Sequence, residues 1–136
     1  MKFRLTTATL IVVFAQSVAG TAIAAAEIRK ETVQFAKGAS SADIKGQLKG
    51  DTTVDYVVRA TAGQTLSVKL QKTNAQNYFN VLPPASQGSA MFVGDNGESY
   101  SGVLPADGDY TVRVYLMRPA ARRGESSNYT LSVGVS

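Results

Sequence analysis

Apolar and polar residues alternate along most of the chain, and this period of two is the feature that most restricts how it can fold. A repeat of two turns every second side chain to the same face, which is the pattern of half-buried antiparallel strands. No helical period competes with it. The inward-facing rows of the five clearest runs are Ile44, Gly46 and Leu48; Val54, Tyr56, Val58 and Ala60; Leu66, Val68 and Leu70; Tyr110, Val112, Val114 and Leu116; and Tyr129, Leu131, Val133 and Val135. The pattern therefore predicts an all-β protein.

Weaker alternation between these runs predicts further strands near residues 33–35, 78–82, 90–93 and 100–104. All the runs together give about eight or nine short strands, a number typical of a sandwich or a closed barrel. We predict a single antiparallel β-sandwich of about eight strands. The connection that follows Leu116 is too long for a tight hairpin, and its proline is expected to open one helical turn over residues 119–122.

The first 26 residues have the layout of a cleavable signal peptide. Basic Lys2 and Arg4 precede an apolar stretch at residues 10–14, and an alanine-rich segment at residues 22–26 offers a cleavage site. The alternative is a membrane anchor, which needs roughly 20 apolar residues, and this stretch is far shorter. We therefore expect export and removal of this segment.

Small residues allow cleavage after Ala24 or after Ala26, and we take Glu27 as the first residue of the exported chain. Residues 27–136 then form one domain of 110 residues, long enough for a single modest core. The chain has no cysteine, so it offers no site for a lipid anchor and no disulfide. We expect a soluble periplasmic protein that does not contact the membrane after cleavage.

The missing residue types exclude the commonest catalytic sites. Without His and Cys the chain has no Ser/His/Asp triad, no Cys/His pair and no ordinary zinc site. Asp107 and Asp109 are of the right type for acid–base chemistry, but they flank Gly108 and are interpreted as turn residues. Residues 95–98 resemble a fragment of a calcium loop without its repeated acidic ligands, and are predicted to be a hairpin tip. We expect a non-catalytic protein with no cofactor.

The basic residues are dispersed except for one clump, Arg118, Arg122 and Arg123. Formal charge falls from +4 to +2 once Lys2 and Arg4 are removed, which gives no continuous basic face for nucleic acid. Arg118 and Arg122 are four residues apart, so a helical turn would place both on one side. Exposed charges of this kind are usually only solvated, so the clump alone does not define a function.

A broad resemblance covers nearly the whole exported part. Residues 62–66 read Ala-Gly-Gln-Thr-Leu, residues 104–110 read Leu-Pro-Ala-Asp-Gly-Asp-Tyr, and residues 128–131 read Asn-Tyr-Thr-Leu. These segments resemble bacterial pre-peptidase C-terminal domains, which implies a β-sandwich but says little about function.

A narrower resemblance is carried by residues 33–42 and by the run over residues 114–123, ahead of Tyr129. Both are similar to segments of the bacterial periplasmic inhibitors of goose-type (g-type) lysozyme. The resemblance implies that a loop with Arg118, Arg122 and Arg123 binds lysozyme and blocks its acidic cleft. One departure is the turn after Gly50, where the chain has no aromatic residue, although relatives can present one.

The alternative is a non-catalytic pre-peptidase-type module that binds cell-wall glycan or scaffolds an envelope complex. In that case surface aromatics such as Tyr78, Phe79 and Tyr100 would make the contact. We expect these three rings to pack in or beside the core instead, which favours the inhibitor.

Overall fold

The computed structural model describes residues 28–85, 90–94 and 99–136. The predicted signal peptide and the predicted hairpin tip at residues 95–98 lie outside these ranges. The elements in chain order are β1 (Ile28–Thr32), β2 (Ser41–Lys49), β3 (Thr53–Ala60), β4 (Thr65–Lys72), β5 (Asn77–Leu82), β6 (Phe92–Val93), β7 (Ser99–Val103), β8 (Gly108–Leu116), α1 (Arg118–Arg122) and β9 (Ser126–Val135).

The described strands form two sheets, which confirms the predicted β-sandwich. One sheet has the order β1-β3-β8-β5-β6 and the other the order β2-β9-β4-β7. The neighbouring strands are antiparallel except for β1 and β3, which pair in parallel with Ile28 opposite Thr53. The five runs with the clearest alternation correspond to β2, β3, β4, β8 and β9.

The prediction for the first strand was wrong in position and direction. The strand covers Ile28–Thr32 rather than residues 33–35, and all five of its residues are exposed. A strand exposed on both faces has no reason to alternate apolar and polar residues, so the pattern gave no signal there. Val33, just beyond it, is buried and its N–H donates to the carbonyl of Val57 at 2.8 Å.

The core lies between the sheets, where the inward rows of both pack together. Tyr56 on β3 and Tyr129 on β9 meet across it, with their hydroxyl oxygens 2.6 Å apart and their rings edge to face. Burial raises the pKa of both phenols, so both remain protonated in the folded protein. Gly46 leaves room for this pair, since a Cβ there would overlap the Tyr129 ring.

Asp107 has the turn role that its position next to Gly108 predicted. Its Oδ1 accepts a hydrogen bond from the N–H of Ala62 at 2.7 Å and so joins two connections. Gly108 has a φ of 140°, which glycine adopts without strain. The turn prediction was wrong for Asp109, which is the second residue of β8 and pairs with Arg59 at 3.5 Å on the exposed surface. The two carboxylates therefore have separate structural contacts.

Candidate functional site

Three connections meet at one end of the sandwich and bring the arginine clump next to two turns. They are the β2–β3 turn at residues 50–52, the β4–β5 turn at residues 73–76, and the β8–β9 connection at residues 117–125, which includes α1. The register explains the meeting, because Lys49 pairs with Ser126 and Asn77 pairs with Leu116. We call this the α1 end.

The sequence of α1 accounts for its position and its short length. Pro119 lies in the first turn, where its fixed φ suits a helix and its missing N–H costs no hydrogen bond. The N–H of Ala121 donates to the carbonyl of Met117 at 2.9 Å. Gly124, with a φ of 69°, ends the turn by donating its N–H to the carbonyl of Ala121 at 3.0 Å. The predicted helical turn is confirmed and begins one residue earlier than expected.

Two alanines hold α1 against the domain, and two arginines point away from it. Ala120 is fully buried and Ala121 is 8% exposed, whereas Arg118 and Arg122 are exposed. At 3.6 residues per turn, the two arginines start only about 40° apart around the helix axis. Among the described residues, neither guanidinium has a hydrogen bond or an ion pair. The α1 end therefore presents two adjacent cations that no group of the described chain neutralises.

Arg123 has a different environment from the other two arginines. Its Nε donates a hydrogen bond to Oε2 of Glu125, and Nδ2 of Asn74 donates to Oε1 of the same carboxylate at 3.0 Å. Both bonds favour the ionised carboxylate and so lower the pKa of Glu125, the bond from Asn74 having the larger effect. We call Asn74, Arg123 and Glu125 the clamp. The clump thus divides into two uncompensated cations and one that is paired within the chain.

A groove of about 400 Å³ runs beside α1, between Arg118 and the β2–β3 turn. Asp51 and Thr53 line one side, and Tyr115 and Met117 line the other. The turn itself has no aromatic residue, but Tyr115 brings a half-buried ring to the groove from β8. The Tyr115 hydroxyl lies 2.9 Å from Oδ1 of Asn80, which fixes the ring on the sheet. The strand pattern marked Tyr115 only as an outward residue and gave no sign of the groove.

The three aromatic residues of the alternative function do not form a shared platform. Phe79 is fully buried, and Tyr100 packs against Phe92 with 5.2 Å between ring centroids. Tyr78 lies in the other sheet from Tyr100, with Nζ of Lys72 at 4.4 Å from its ring centroid. The expectation that the rings pack in or beside the core is confirmed for Phe79 and Tyr100 and is wrong for Tyr78, which lies half-buried on the opposite face of β5 from Phe79.

Within residues 28–85, 90–94 and 99–136, no group of three or more acidic, His or Cys side chains is placed to hold a metal ion. No helix in those ranges is both long and apolar enough to cross a bilayer.

The known proteins that are similar to this chain over most of its length include inhibitors of g-type lysozyme. No family model matches the sequence. A curated relative from Escherichia coli, the inhibitor of g-type lysozyme, is 31% identical over 108 residues, which are 76% of this chain and 78% of the relative. The crystal structure of Aeromonas hydrophila PliG, a periplasmic lysozyme inhibitor of g-type lysozyme, superposes with a TM-score of 0.76 at 41% identity, covering 81% of this chain and 98% of that one.

A more distant structure shares the fold alone. The pre-peptidase C-terminal domain of a Bacillus anthracis collagenase has a TM-score of 0.52 at 16% identity, covering 81% of this chain and 95% of the domain. Both resemblances inferred from the sequence are therefore confirmed, the narrow one for the family and the broad one for the fold.

The fold and the α1 end define a small β-sandwich that carries an exposed basic helical turn at one end. Its sequence relationship to the Escherichia coli protein fixes the family more closely. The chain belongs to the family of g-type lysozyme inhibitors.

Proposed function

We propose that this protein is a non-catalytic, periplasmic inhibitor of g-type lysozyme. The Escherichia coli relative is an inhibitor of that enzyme class, and Aeromonas hydrophila PliG is a periplasmic one. The segment over residues 1–26, with the layout of a signal peptide, agrees with export. The partner is the lysozyme itself, and no cofactor takes part.

The inhibitory contact is proposed to be the insertion of α1 into the cleft of the enzyme. Lysozymes cleave glycan with a pair of carboxyl groups in a long groove, so the groove attracts cations. Arginine fits such a site because its planar fork can bind a carboxylate through two hydrogen bonds and stays charged when water is removed. Arg118 and Arg122 together would occupy the groove and exclude peptidoglycan.

The observation that carries this proposal is the pair of unpaired guanidinium groups on an anchored turn. A group already paired within its own chain has to break that pair before it can bind a partner, whereas Arg118 and Arg122 have no such pair in the described part of the chain. The buried Ala120 and Ala121 hold the turn, so less freedom is lost on binding. Arg123 also belongs to the predicted contact set. Because it is bonded to Glu125, we expect it to contribute less direct binding to the enzyme than Arg118 and Arg122 do.

The glycan-binding alternative has less support. It needs exposed rings that can stack on sugar faces, and Phe79 is buried while Tyr78 and Tyr100 lie in different sheets.

The test is a cell-wall lysis assay with the purified protein and lysozymes of the goose, chicken and invertebrate types. We expect inhibition of the goose type at the lowest concentration. A parallel pull-down with purified peptidoglycan is the control for the alternative. Inhibition of none of the three enzymes, together with direct retention on peptidoglycan, would contradict the proposal.

A further inference from the structure

Glu125 connects the arginine-bearing turn to two neighbouring segments at once. Its N–H donates to the carbonyl of Ala120 at 3.1 Å, and its carbonyl accepts the N–H of Gly50 at 2.9 Å. Its carboxylate accepts hydrogen bonds from Arg123 and Asn74. One residue therefore ties α1 to the β2–β3 turn through its backbone and to the β4–β5 turn through its side chain.

Asn74 links the β4–β5 turn to both ends of the β8–β9 connection. Its Nδ2 also lies 3.1 Å from the carbonyl oxygen of Ser126, directly after the connection. Its Oδ1 accepts the N–H of Gln76 at 2.9 Å, and the carbonyl of Gln76 accepts the N–H of Met117 at 2.9 Å, directly before α1. The β4–β5 turn thus holds the start and the end of the connection.

These contacts matter because α1 cannot hold its own shape. It has five residues, and isolated helices shorter than about 12 residues are marginal in water. The two buried alanines fix its position, but they offer little side-chain surface to fix the direction of the arginines. The direction of Arg118 and Arg122 therefore depends on the hydrogen bonds that surround the turn.

We propose that Asn74 and Glu125 are positioning residues for inhibition, and that Arg123 acts through Glu125 rather than by touching the enzyme. The inference rests on the proposed insertion of α1 into lysozyme. It predicts that the clamp sets the lifetime of the complex, because a turn that is free to move loses more entropy when it is bound.

Two substitutions with opposite charge effects separate positioning from simple electrostatics. Glu125→Gln removes a negative charge beside the arginines, and Asn74→Asp adds one while keeping the acceptor for the N–H of Gln76. Charge alone predicts that Glu125→Gln strengthens binding to an acidic cleft and Asn74→Asp weakens it. Positioning predicts that both accelerate dissociation, by about fivefold. Association should still follow charge, faster for Glu125→Gln and slower for Asn74→Asp.

The measurement is association and dissociation kinetics on immobilised goose-type lysozyme, with the thermal midpoint of every variant recorded. Asp109→Asn is the matched control, because it removes one carboxylate charge from the exposed pair with Arg59 at the start of β8, whereas α1 follows the end of that strand. We expect its dissociation rate to equal that of the wild type. Unchanged or slower dissociation of Glu125→Gln would overturn the proposal, and amide hydrogen exchange at Gly50 and Met117 reports directly whether the connection has loosened.

A double-mutant cycle assigns the role of Arg123. If it acts through Glu125, Arg123→Gln should raise the dissociation rate in the wild type and change it little in the Glu125→Gln background. An equal effect in both backgrounds would mean that Arg123 contacts lysozyme directly. Arg123 is exposed, so this variant tests the clamp even if a substitution at Asn74 disturbs folding. If Arg118→Ala loses inhibition and the clamp variants behave like the wild type, only the positioning role is refuted. If Arg118→Ala inhibits as strongly as the wild type, the insertion itself is refuted.

Discussion

The hydroxyl of Tyr56 in one sheet lies 2.6 Å from the hydroxyl of Tyr129 in the other, and both rings are buried. The pair is a buried polar link between the two sheets. Because neither hydroxyl can reach water easily, each depends on the other for its hydrogen bond. Removing one hydroxyl therefore differs from removing both.

Tyr129→Phe should lower the free energy of unfolding by about 1–3 kcal/mol, since it leaves the Tyr56 hydroxyl buried and unpaired. The double variant, with phenylalanine at both positions, should be less destabilised than the sum of the two single variants, because no orphaned hydroxyl remains. Urea denaturation of the three variants gives these values. Additive losses would show that the two hydroxyls do not depend on each other.

The same pair predicts a loss of stability in alkali. Burial raises the pKa of both phenols above the ordinary value of 10.0, so the folded state holds protons that the unfolded state releases. The stabilisation is fully present below pH 10 and should decline as the pH rises above it. We expect a smaller decline for the double phenylalanine variant, measured by denaturation between pH 9 and pH 11. Equal pH dependence in both proteins would be the contrary result.

Arg118→Ala and Arg122→Ala should each raise the inhibition constant for goose-type lysozyme at least tenfold, or about 1.4 kcal/mol. The reason is that an enzyme carboxylate would remain desolvated without its partner. The thermal midpoint should stay within a degree or two of the wild type, because both side chains are exposed.

The control for the two arginines is Arg59→Ala, which removes an exposed arginine of β3 that pairs with Asp109. It should leave inhibition unchanged. Since Arg118 and Arg122 share one side of α1, their double variant should deviate from additivity. Wild-type inhibition by that double variant would rule out α1 as the contact.

The carboxyl group of Glu125 should titrate below the ordinary glutamate value of 4.5, because Asn74 and then Arg123 stabilise its ionised form. Because the pKa of Glu125 is lowered, the clamp is fully formed at pH values above the ordinary glutamate pKa. It is lost as the pH falls through the lowered pKa of Glu125. Asn74→Ala should move the midpoint upward in an NMR titration, while Arg59→Ala should not. An unchanged midpoint in Asn74→Ala would show that the Asn74 amide does not stabilise the ionised carboxylate of Glu125.

Much of the fold could be predicted because its signal is local. In β4, β8 and β9 one face is buried and the other is more exposed, so each strand carries its own pattern. β1 escaped the prediction because its residues are exposed on both faces and its parallel partner lies more than 20 residues away. Its placement depends on β3 and not on its own sequence.

The site was predictable only in part, for a similar reason. Arg118 and Arg122 are only four residues apart, the spacing of a helical turn, so they could be identified together. Asn74 and Glu125 are 51 residues apart, and Tyr115 differs from other outward residues only through the turn that packs beside it. Contacts of this kind depend on strand register, which a single sequence does not specify.

The path of β9 has a practical consequence for how the protein can be attached to a surface. The strand starts at Ser126, beside α1, and runs to Val135, after which Ser136 pairs with Thr65 near the other end of the sandwich. Ten residues of strand span roughly 33 Å. A tether joined at Ser136 would therefore hold the protein with α1 facing away from the support, with Arg118 and Arg122 accessible to a large enzyme in solution.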